Sequence, residues 1–191
     1  MTVKTDRKDA CGLAQLLRMG WFQQVHAKSI GSQEIRALLV ARKQLLGRLL
    51  DVELSIRGIL RGFGLKVGQV TRKTFEARIR ELVTGQATLG RIAEAMLSAR
   101  ATLQAEYEKL HKAVLAFVRE DAVCRRLMTV PGVGPVVAVT FKSAVDDPSR
   151  IAKSKAVGAL LARKIGVILH RMWIDGTTYR WAEAKPIAAQ V

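Results

Sequence analysis

Two long stretches of the chain carry apolar residues at alternating steps of three and four, and this pattern constrains the fold more than any other feature. The first stretch follows Ser32, a candidate helix N-cap, and ends at Gly62 and Gly64. Arg42 is its one polar interruption. Such spacing puts one apolar stripe on a helix and is typical of a coiled-coil seam. The stripe consists of Ile35, Leu38, Leu45, Leu49, Val52, Ile56, Ile59 and Phe63.

A second stripe of the same kind runs over residues 89–119. A basic connector at 65–73 and a short predicted helix at 74–84, ended by Gly85, join the two stripes. Two seams of similar length with a short connection predict an antiparallel coiled-coil hairpin, although ordinary core packing would give the same stripes. The second stripe consists of Leu89, Ile92, Met96, Ala99, Leu103, Tyr107, Leu110, Val114 and Phe117.

Shorter helices flank this hairpin. One is predicted over residues 6–19 and ends at Gly20, and a loop or short extended segment follows. Beyond the hairpin, helices are predicted over 121–130, 136–145 and 152–173, with Asp146-Asp147-Pro148 stopping the second of them. The fold class is therefore mainly α. The predicted units are residues 1–31, the arm 32–120, a small helical domain 121–181 and a tail 182–191.

Composition and charge narrow the partner. Only 5% of the 191 residues are aromatic whereas 49% are hydrophobic, which favours helices packed through Leu, Ile, Val and Ala. There are 32 Lys and Arg against 16 Asp and Glu, a formal charge of +16. A nucleic acid is the expected partner, because each neutralised phosphate releases counterions. A membrane surface is disfavoured, since it prefers one basic amphipathic helix and these cations run along the whole chain.

Cellular location is predicted from what the sequence lacks. The start is charged at once, unlike a signal peptide, and the longest apolar run, residues 128–141, is too short to cross a bilayer. Cys11 and Cys124 are far apart and form no CxxC pair, which is typical of thiols in a reducing compartment. We expect a cytoplasmic protein with no membrane partner.

A glycine- and proline-rich turn between two predicted helices is the best candidate binding motif. The segment Leu127–Ala138, which contains the turn Val130-Pro-Gly-Val-Gly-Pro135, is similar to a helix-hairpin-helix. Its amides and the following helix N-terminus would donate to a phosphate, so the contact would carry little base specificity. The alternative is a tight turn between core helices in which Val133 plugs the core. The predicted nucleic-acid-binding residues are Gly132, Val133, Gly134, Arg125, Arg126 and Lys142.

Two aspartates near the start are the candidate metal ligands. Asp6 and Asp9 are three residues apart on a predicted helix, so both carboxylates point the same way and can share one Mg²⁺. By spacing alone, an ordinary solvated helix face is the better interpretation.

Strings along the chain, in order, resemble one family. Lys4-Thr-Asp6-Arg-Lys-Asp9-Ala10 is similar to the motif that supplies the last two acidic residues of a DEDD domain in bacterial insertion-sequence transposases of the family numbered one hundred and ten, also called bridge-RNA-guided recombinases. The Val-Pro-Gly-Val-Gly-Pro turn also resembles this family. Further similar strings are Gly12–Gln15, Arg61–Lys66, Phe75–Arg78, Val123–Met128, Ser154–Gly158 and Ile168–Thr177.

The resemblance implies a DNA strand-exchange enzyme with a guide RNA, in which Asp6 and Asp9 are two of four carboxylates that hold catalytic Mg²⁺ and a serine attacks DNA. The first Asp and the Glu of that set have no counterpart here. The serine-bearing segment has none either, because Gly158-Ala159 runs straight into a string like the family's terminal helix. Ser143, Ser149 and Ser154 do not sit in the nucleophile's motif.

These departures predict a catalytically incomplete copy. We expect residues 1–31 to be the remnant of an RNase-H-like domain that leaves Trp21-Phe22 uncovered, and the arm to pair with a second copy. Nucleic-acid binding should survive. The alternatives are a non-enzymatic helical nucleic-acid-binding module and an adaptor whose basic faces serve only solubility.

Overall fold

The computed structural model describes residues 5–21, 25–151 and 164–179, and most of these residues are helical. No strand occurs within these ranges, so the predicted mainly α class is confirmed. None of the helices described there is long and apolar enough to cross a membrane. The helices are α1 Asp6–Arg18, α2 Ile30–Gly62, α3 Phe75–Leu82, α4 Ala87–Glu120, α5 Ala122–Leu127, α6 Pro135–Val145 and α7 Lys164–Asp175, with one 3₁₀ turn at Pro148–Arg150.

Helices α2 and α4 pack against each other in antiparallel fashion. Arg42 of α2 meets His111 of α4, and Glu53, further along α2, meets Arg100, which comes earlier in α4. The helices have 33 and 34 residues, which is about 50 Å each at about 1.5 Å per residue. The predicted helical hairpin is therefore present, and whether it supercoils as a coiled coil stays a prediction.

The start of α2 differs from the sequence prediction. Ser29, not Ser32, is the N-cap: its hydroxyl accepts the Ser32 amide at 3.3 Å, and the helix begins at Ile30. Ser32 is buried inside the first turn. Both serines suit a cap chemically, but Ser29 is also held by Asp146 of a distant segment, which no local pattern reveals.

The predicted stripes drift out of register toward the far end of the hairpin. On α2, Ile59 and Phe63 are exposed and Leu60 is buried in their place. On α4, Ala99 is exposed whereas its neighbour Arg100 is buried. An α-helix advances 3.6 residues per turn rather than 3.5, so a strict heptad pattern rotates off the buried face by about 20° per heptad.

A hydrophobic cluster lies at each end of the hairpin formed by α2 and α4. The distal cluster joins α3 and the connector to the tips of α2 and α4, and the basal cluster joins α5, α6 and α7 to the other end of α4. The distal cluster contains Ile56, Leu60, Val67, Phe75, Ile79, Val83, Leu89, Ala93 and Leu97. The basal cluster contains Val114, Val118, Cys124, Leu127, Val130, Val133, Ala138, Val139, Phe141, Val145, Leu169 and Met172.

Arg42, the polar interruption of the first stripe, lies along α2 between the two clusters and finds partners on α4. Its Nε donates to His111 Nδ1 at 3.1 Å and its terminal nitrogen to the Tyr107 hydroxyl at 2.7 Å. Its guanidinium carbon also lies 5.0 Å from the Tyr107 ring centroid. The guanidinium of Arg42 within the seam therefore finds hydrogen-bond acceptors in His111 and Tyr107 and a cation–π contact with the Tyr107 ring.

The two ends of the chain bear on the predicted units. α1 buries none of its residues, and Trp21 just beyond it is 74% exposed, as expected for an uncovered segment, whereas Phe22 lies outside the described residues. The origin of residues 1–31 in an RNase-H-like domain stays a prediction. The final helix was predicted over 152–173; α7 covers Lys164–Asp175, and residues 152–163 lie outside the described part of the chain.

Candidate nucleic-acid interface

The glycine-rich turn connects α5 to α6 and adopts a conformation that requires glycine at one position. Gly132 has φ of +81°, in the left-handed region that side chains with a Cβ avoid. Gly134 is the N-cap of α6 in extended conformation, and Pro135 occupies the first helical position, where its missing N–H loses no bond. A Cβ added at either glycine would meet no atom within 4 Å, so the surface there is open.

Val133 points the other way, into the protein. Its side chain is 5% exposed and belongs to the basal cluster, and its amide donates to the Val130 carbonyl at 3.0 Å. Val133 therefore plugs the core, as the alternative interpretation of the turn predicted, and its amide is already used. Nothing in the described ranges accepts the amides of Gly132 and Gly134, which leaves these two donors for a phosphate.

The three predicted cations are placed differently around the turn. Arg125 is exposed on α5, and Arg126 is half-buried with its guanidinium directed toward Gly176 beyond α7. Lys142 lies about eight residues after Gly134, or about 12 Å along α6, and its Nζ pairs with Asp121 instead. Of the three cations, Arg125 alone is exposed, whereas Lys142 is already paired with Asp121.

Asp121 anchors the start of α5. Its carboxylate accepts the Cys124 amide at 2.7 Å as the N-cap of α5 and also pairs with Lys142. Burial opposes its ionisation, but the hydrogen bonds from Lys142 and Cys124 prevail and hold the pKa of Asp121 below its usual range. Burial, followed by the negative charge of Asp121, raises the pKa of the Cys124 thiol to about 12. Cys124 is thus an inert core side chain.

The predicted metal ligands lie in a different element, at the start of α1. Asp6 and Asp9 are both exposed in the first turn of α1, after the N-cap Thr5. In residues 5–21, 25–151 and 164–179 no group of three or more His, Cys, Asp or Glu side chains could hold a metal ion. A Mg²⁺ ion shared by Asp6 and Asp9 therefore stays a prediction.

Asp146 is a feature that sequence reasoning missed. Its φ of +65° and the hydrogen bond from the Asp147 amide to the Val145 carbonyl at 2.9 Å form a tight γ-turn, a strained backbone for a residue with a side chain. The carboxylate accepts bonds from the Ser29 hydroxyl at 2.6 Å, the Ser29 amide at 2.9 Å and His26 at 2.8 Å. Hydrogen bonds from the hydroxyls of Ser29 and Ser32 contribute most to holding the pKa of Asp146 well below its usual range.

This network ties the segment before α2 to the C-terminal end of α6. Lys28 completes it by donating from Nζ to the carbonyls of Ser143 and Ala144 at 2.7 and 2.9 Å, where a cation satisfies the last carbonyls of a helix. The network therefore holds the C-terminal end of α6 against the N-terminal end of α2.

Comparison with known families gives a match over the turn. Residues 124–163 match the family described as Transposase IS116/IS110/IS902 family. The matched stretch begins in α5 and contains the turn and α6; its last twelve residues, 152–163, lie outside the described residues.

Two curated relatives match over most of the chain. The transposase for insertion sequence element IS1111A of Coxiella burnetii is 27% identical over 167 residues, which is 83% of this chain and 44% of the relative. A protein of Pseudomonas aeruginosa described as "Probable family 20 transposase" is 26% identical over 166 residues, 83% of this chain and 48% of the relative. The chain thus spans about half the length of these relatives.

A third match is local. An alanine racemase of Nitratidesulfovibrio vulgaris is 45% identical over 51 residues, which covers 26% of this chain and 14% of the racemase. No solved structure matches the chain.

Proposed function

We propose that this chain acts in an insertion-sequence transposase, where its helical body holds DNA through the backbone phosphates at the Gly132–Gly134 turn. The observation that carries the proposal is the pair of open amides on an exposed turn, at the N-terminal end of α6 and inside the stretch that matches a transposase family. Amides at a helix N-terminus favour an anion. The formal charge of +16 supplies the long-range attraction to a polyanion.

Catalysis is proposed to be incomplete in this chain. The family resemblance assigns Asp6 and Asp9 to a set of four carboxylates that holds Mg²⁺, and the described residues bring no third His, Cys, Asp or Glu side chain to this exposed pair. Neither serine that the structure describes in the C-terminal region is free to attack DNA: Ser143 is buried, and the Ser149 hydroxyl donates to Asp147 at 2.7 Å. A guide RNA is the further partner that the resemblance implies, and the long helical arm is proposed to pair with a second copy.

Binding of the purified chain to a DNA duplex of about 20 base pairs should weaken steeply as salt is added. Three or more phosphate contacts give a slope of log affinity against log salt of about −2.7 or steeper, because each contact releases about 0.9 counterion. Fluorescence anisotropy from 50 to 300 mM KCl measures this slope. A flat response, or no binding at low salt, would contradict the proposal.

Strand cleavage and transfer should be absent even when binding is intact. The chain, incubated with Mg²⁺, element-end DNA and the cognate guide RNA, is expected to give no product above background on a denaturing gel, because two exposed carboxylates cannot assemble the four-carboxylate site. Product that forms with this chain and disappears in the Asp6→Asn and Asp9→Asn variants would contradict the proposal, because it would show that the chain cleaves DNA and needs these aspartates to do so.

A non-enzymatic nucleic-acid-binding module remains the second candidate. It is favoured by exposed apolar side chains on α2, Leu50 and Leu54, which offer a surface for pairing with a second copy. Such a module would bind DNA in the same way and would need no element-end sequence.

A further inference from the structure

A cleft lies between α2 and α6, and Val136 near the start of α6 is one of its lining residues. It has a volume of about 390 Å³, within the usual range of small-ligand sites. Its walls are apolar and come from Leu39 and Val40 of α2 and from Val136 of α6. Val136 is two residues after Gly134, so the cleft opens directly beside the proposed phosphate contact.

The rim of this cleft is cationic. Arg36 and Lys43 line it from α2, and the described ranges place no carboxylate within ion-pair distance of either. Lys28 lies beside Arg36 in the adjoining depression. Burial, and then repulsion from Arg36, lower the pKa of Lys28, although the nearby carboxylate of Asp146 acts in the opposite direction. Positive charge is thus in excess here, and an anion would relieve it.

The combination of apolar walls and a cationic rim selects one kind of occupant. A second copy of this chain carries twice as many cationic as acidic side chains, so the cationic rim disfavours it in this cleft, and the pairing proposed for the arm would use surfaces away from it. A base pair inside a duplex presents no free ring face. An unpaired nucleotide offers both an apolar ring face for the walls and a phosphate for the rim, the combination used by proteins that hold extruded or single-stranded bases.

We infer that the cleft between α2 and α6 holds an unpaired nucleotide of a nucleic-acid strand, with its base between Leu39, Val40 and Val136 and its phosphate at Arg36 and Lys43. A strand gripped by phosphate at the Gly132–Gly134 turn would enter the cleft at Val136. The inference rests on the proposed contact with nucleic acid but concerns a different surface, and it adds a preference for unpaired over paired nucleotides.

The test compares a fluorescein-labelled twelve-nucleotide thymidine strand with a duplex of the same length. Arg36→Gln with Lys43→Gln should weaken binding of the single strand about tenfold or more in 50 mM KCl. It should reduce the salt slope by about 0.7, because one phosphate contact is lost and each contact on a single strand contributes about 0.7. Duplex binding should change by less than about threefold, because the turn is intact.

The matched control is Arg91→Gln with Lys112→Gln. Both residues are exposed on α4 and neither lines the cleft, so the net charge changes equally and only long-range attraction is lost. Equal weakening by the two double variants would overturn the inference. Circular dichroism and the urea midpoint establish that all variants fold, as expected for exposed side chains.

Photocrosslinking then locates the base directly. A strand with one 4-thiothymidine should crosslink to a peptide containing residues 36–43 or 136–144, and a matched RNA strand with 4-thiouridine tells whether DNA or RNA is preferred. Crosslinks only elsewhere would overturn the inference, as would equal displacement of the strand by polyglutamate of the same charge. If duplex binding is steep in salt and these tests fail, the cleft is wrong and the proposed function stands; if no nucleic acid binds, both fail.

Discussion

Replacing Arg100 with methionine is expected to lower the free energy of unfolding by about 3 kcal/mol or more, the usual cost of breaking a buried ion pair from one side. Arg100 is 1% exposed. Its Nε donates to Glu53 at 2.8 Å and one terminal nitrogen to Glu76 at 3.0 Å, while the other reaches the Arg72 carbonyl at 3.3 Å. Without the guanidinium, two partly buried carboxylates and a carbonyl lose their donor. Urea denaturation followed by circular dichroism measures the loss.

The effect should be centred on the distal cluster, because Arg100 joins three elements there. It lies on α4, Glu53 on α2 and Glu76 on α3, and its guanidinium carbon is 5.0 Å from the ring centroid of Phe75. Hydrogen exchange should therefore increase most in α3 and in the tips of the two long helices.

The control is Arg48→Met on α2, which removes the same charge and the same side-chain shape. Arg48 pairs with Asp51 at 3.5 Å, but the two side chains are 76% and 65% exposed, so we expect a loss below about 0.5 kcal/mol. Adding Glu53→Gln and Glu76→Gln to Arg100→Met should recover part of the loss, because the carboxylates then no longer need a cation. Similar losses for Arg48→Met and Arg100→Met would show that Arg100 does not stabilise the distal end.

The long helices could be predicted from sequence because their apolar period is local and repeated, but the buried face could not be followed to the end. A pattern search treats Arg100 as a solvent-facing residue and selects Ala99, whereas the structure buries the arginine. What makes that burial favourable is a pair of carboxylates 47 and 24 residues away in the chain. Local periodicity contains no information about such partners.

Some features of the candidate site could likewise be predicted from the sequence, and others could not. The glycine turn was predictable, because a glycine with positive φ and a proline at the first helical position are properties of adjacent residues. The partner of Lys142 was not, since Asp121 lies 21 residues away and competes for the charge assigned to phosphate. The His26–Asp146 contact spans 120 residues, and the cleft joins residues 36–43 to residues 136–144. The His26–Asp146 contact and the cleft arise only when α6 packs on α2.

Gly134→Asp is expected to stabilise the protein slightly and to weaken its binding to DNA about tenfold, lowering the salt slope by about 0.9. Gly134 is the N-cap of α6 but has no side chain to accept the amides of the first turn. Its φ of −88° suits any residue, and a new Cβ meets no atom within 4 Å. An aspartate there accepts an open amide, which is worth a few tenths of a kcal/mol over glycine. Its charge then occupies the place proposed for a phosphate.

Two further substitutions separate the effect of helix capping from the effect of the negative charge. Gly134→Asn caps the same amides without a charge, so its stability should match that of Gly134→Asp while its DNA affinity falls less. Gly134→Ala neither caps nor blocks, so it should be the least stable variant and bind DNA like the original chain. Stability and affinity therefore run in nearly opposite order across the series, which a general loss of folding cannot produce. If all four proteins bound a duplex equally at 50 mM and 200 mM KCl, the turn would be only a connection between core helices, and the basic surface elsewhere would have to account for any binding.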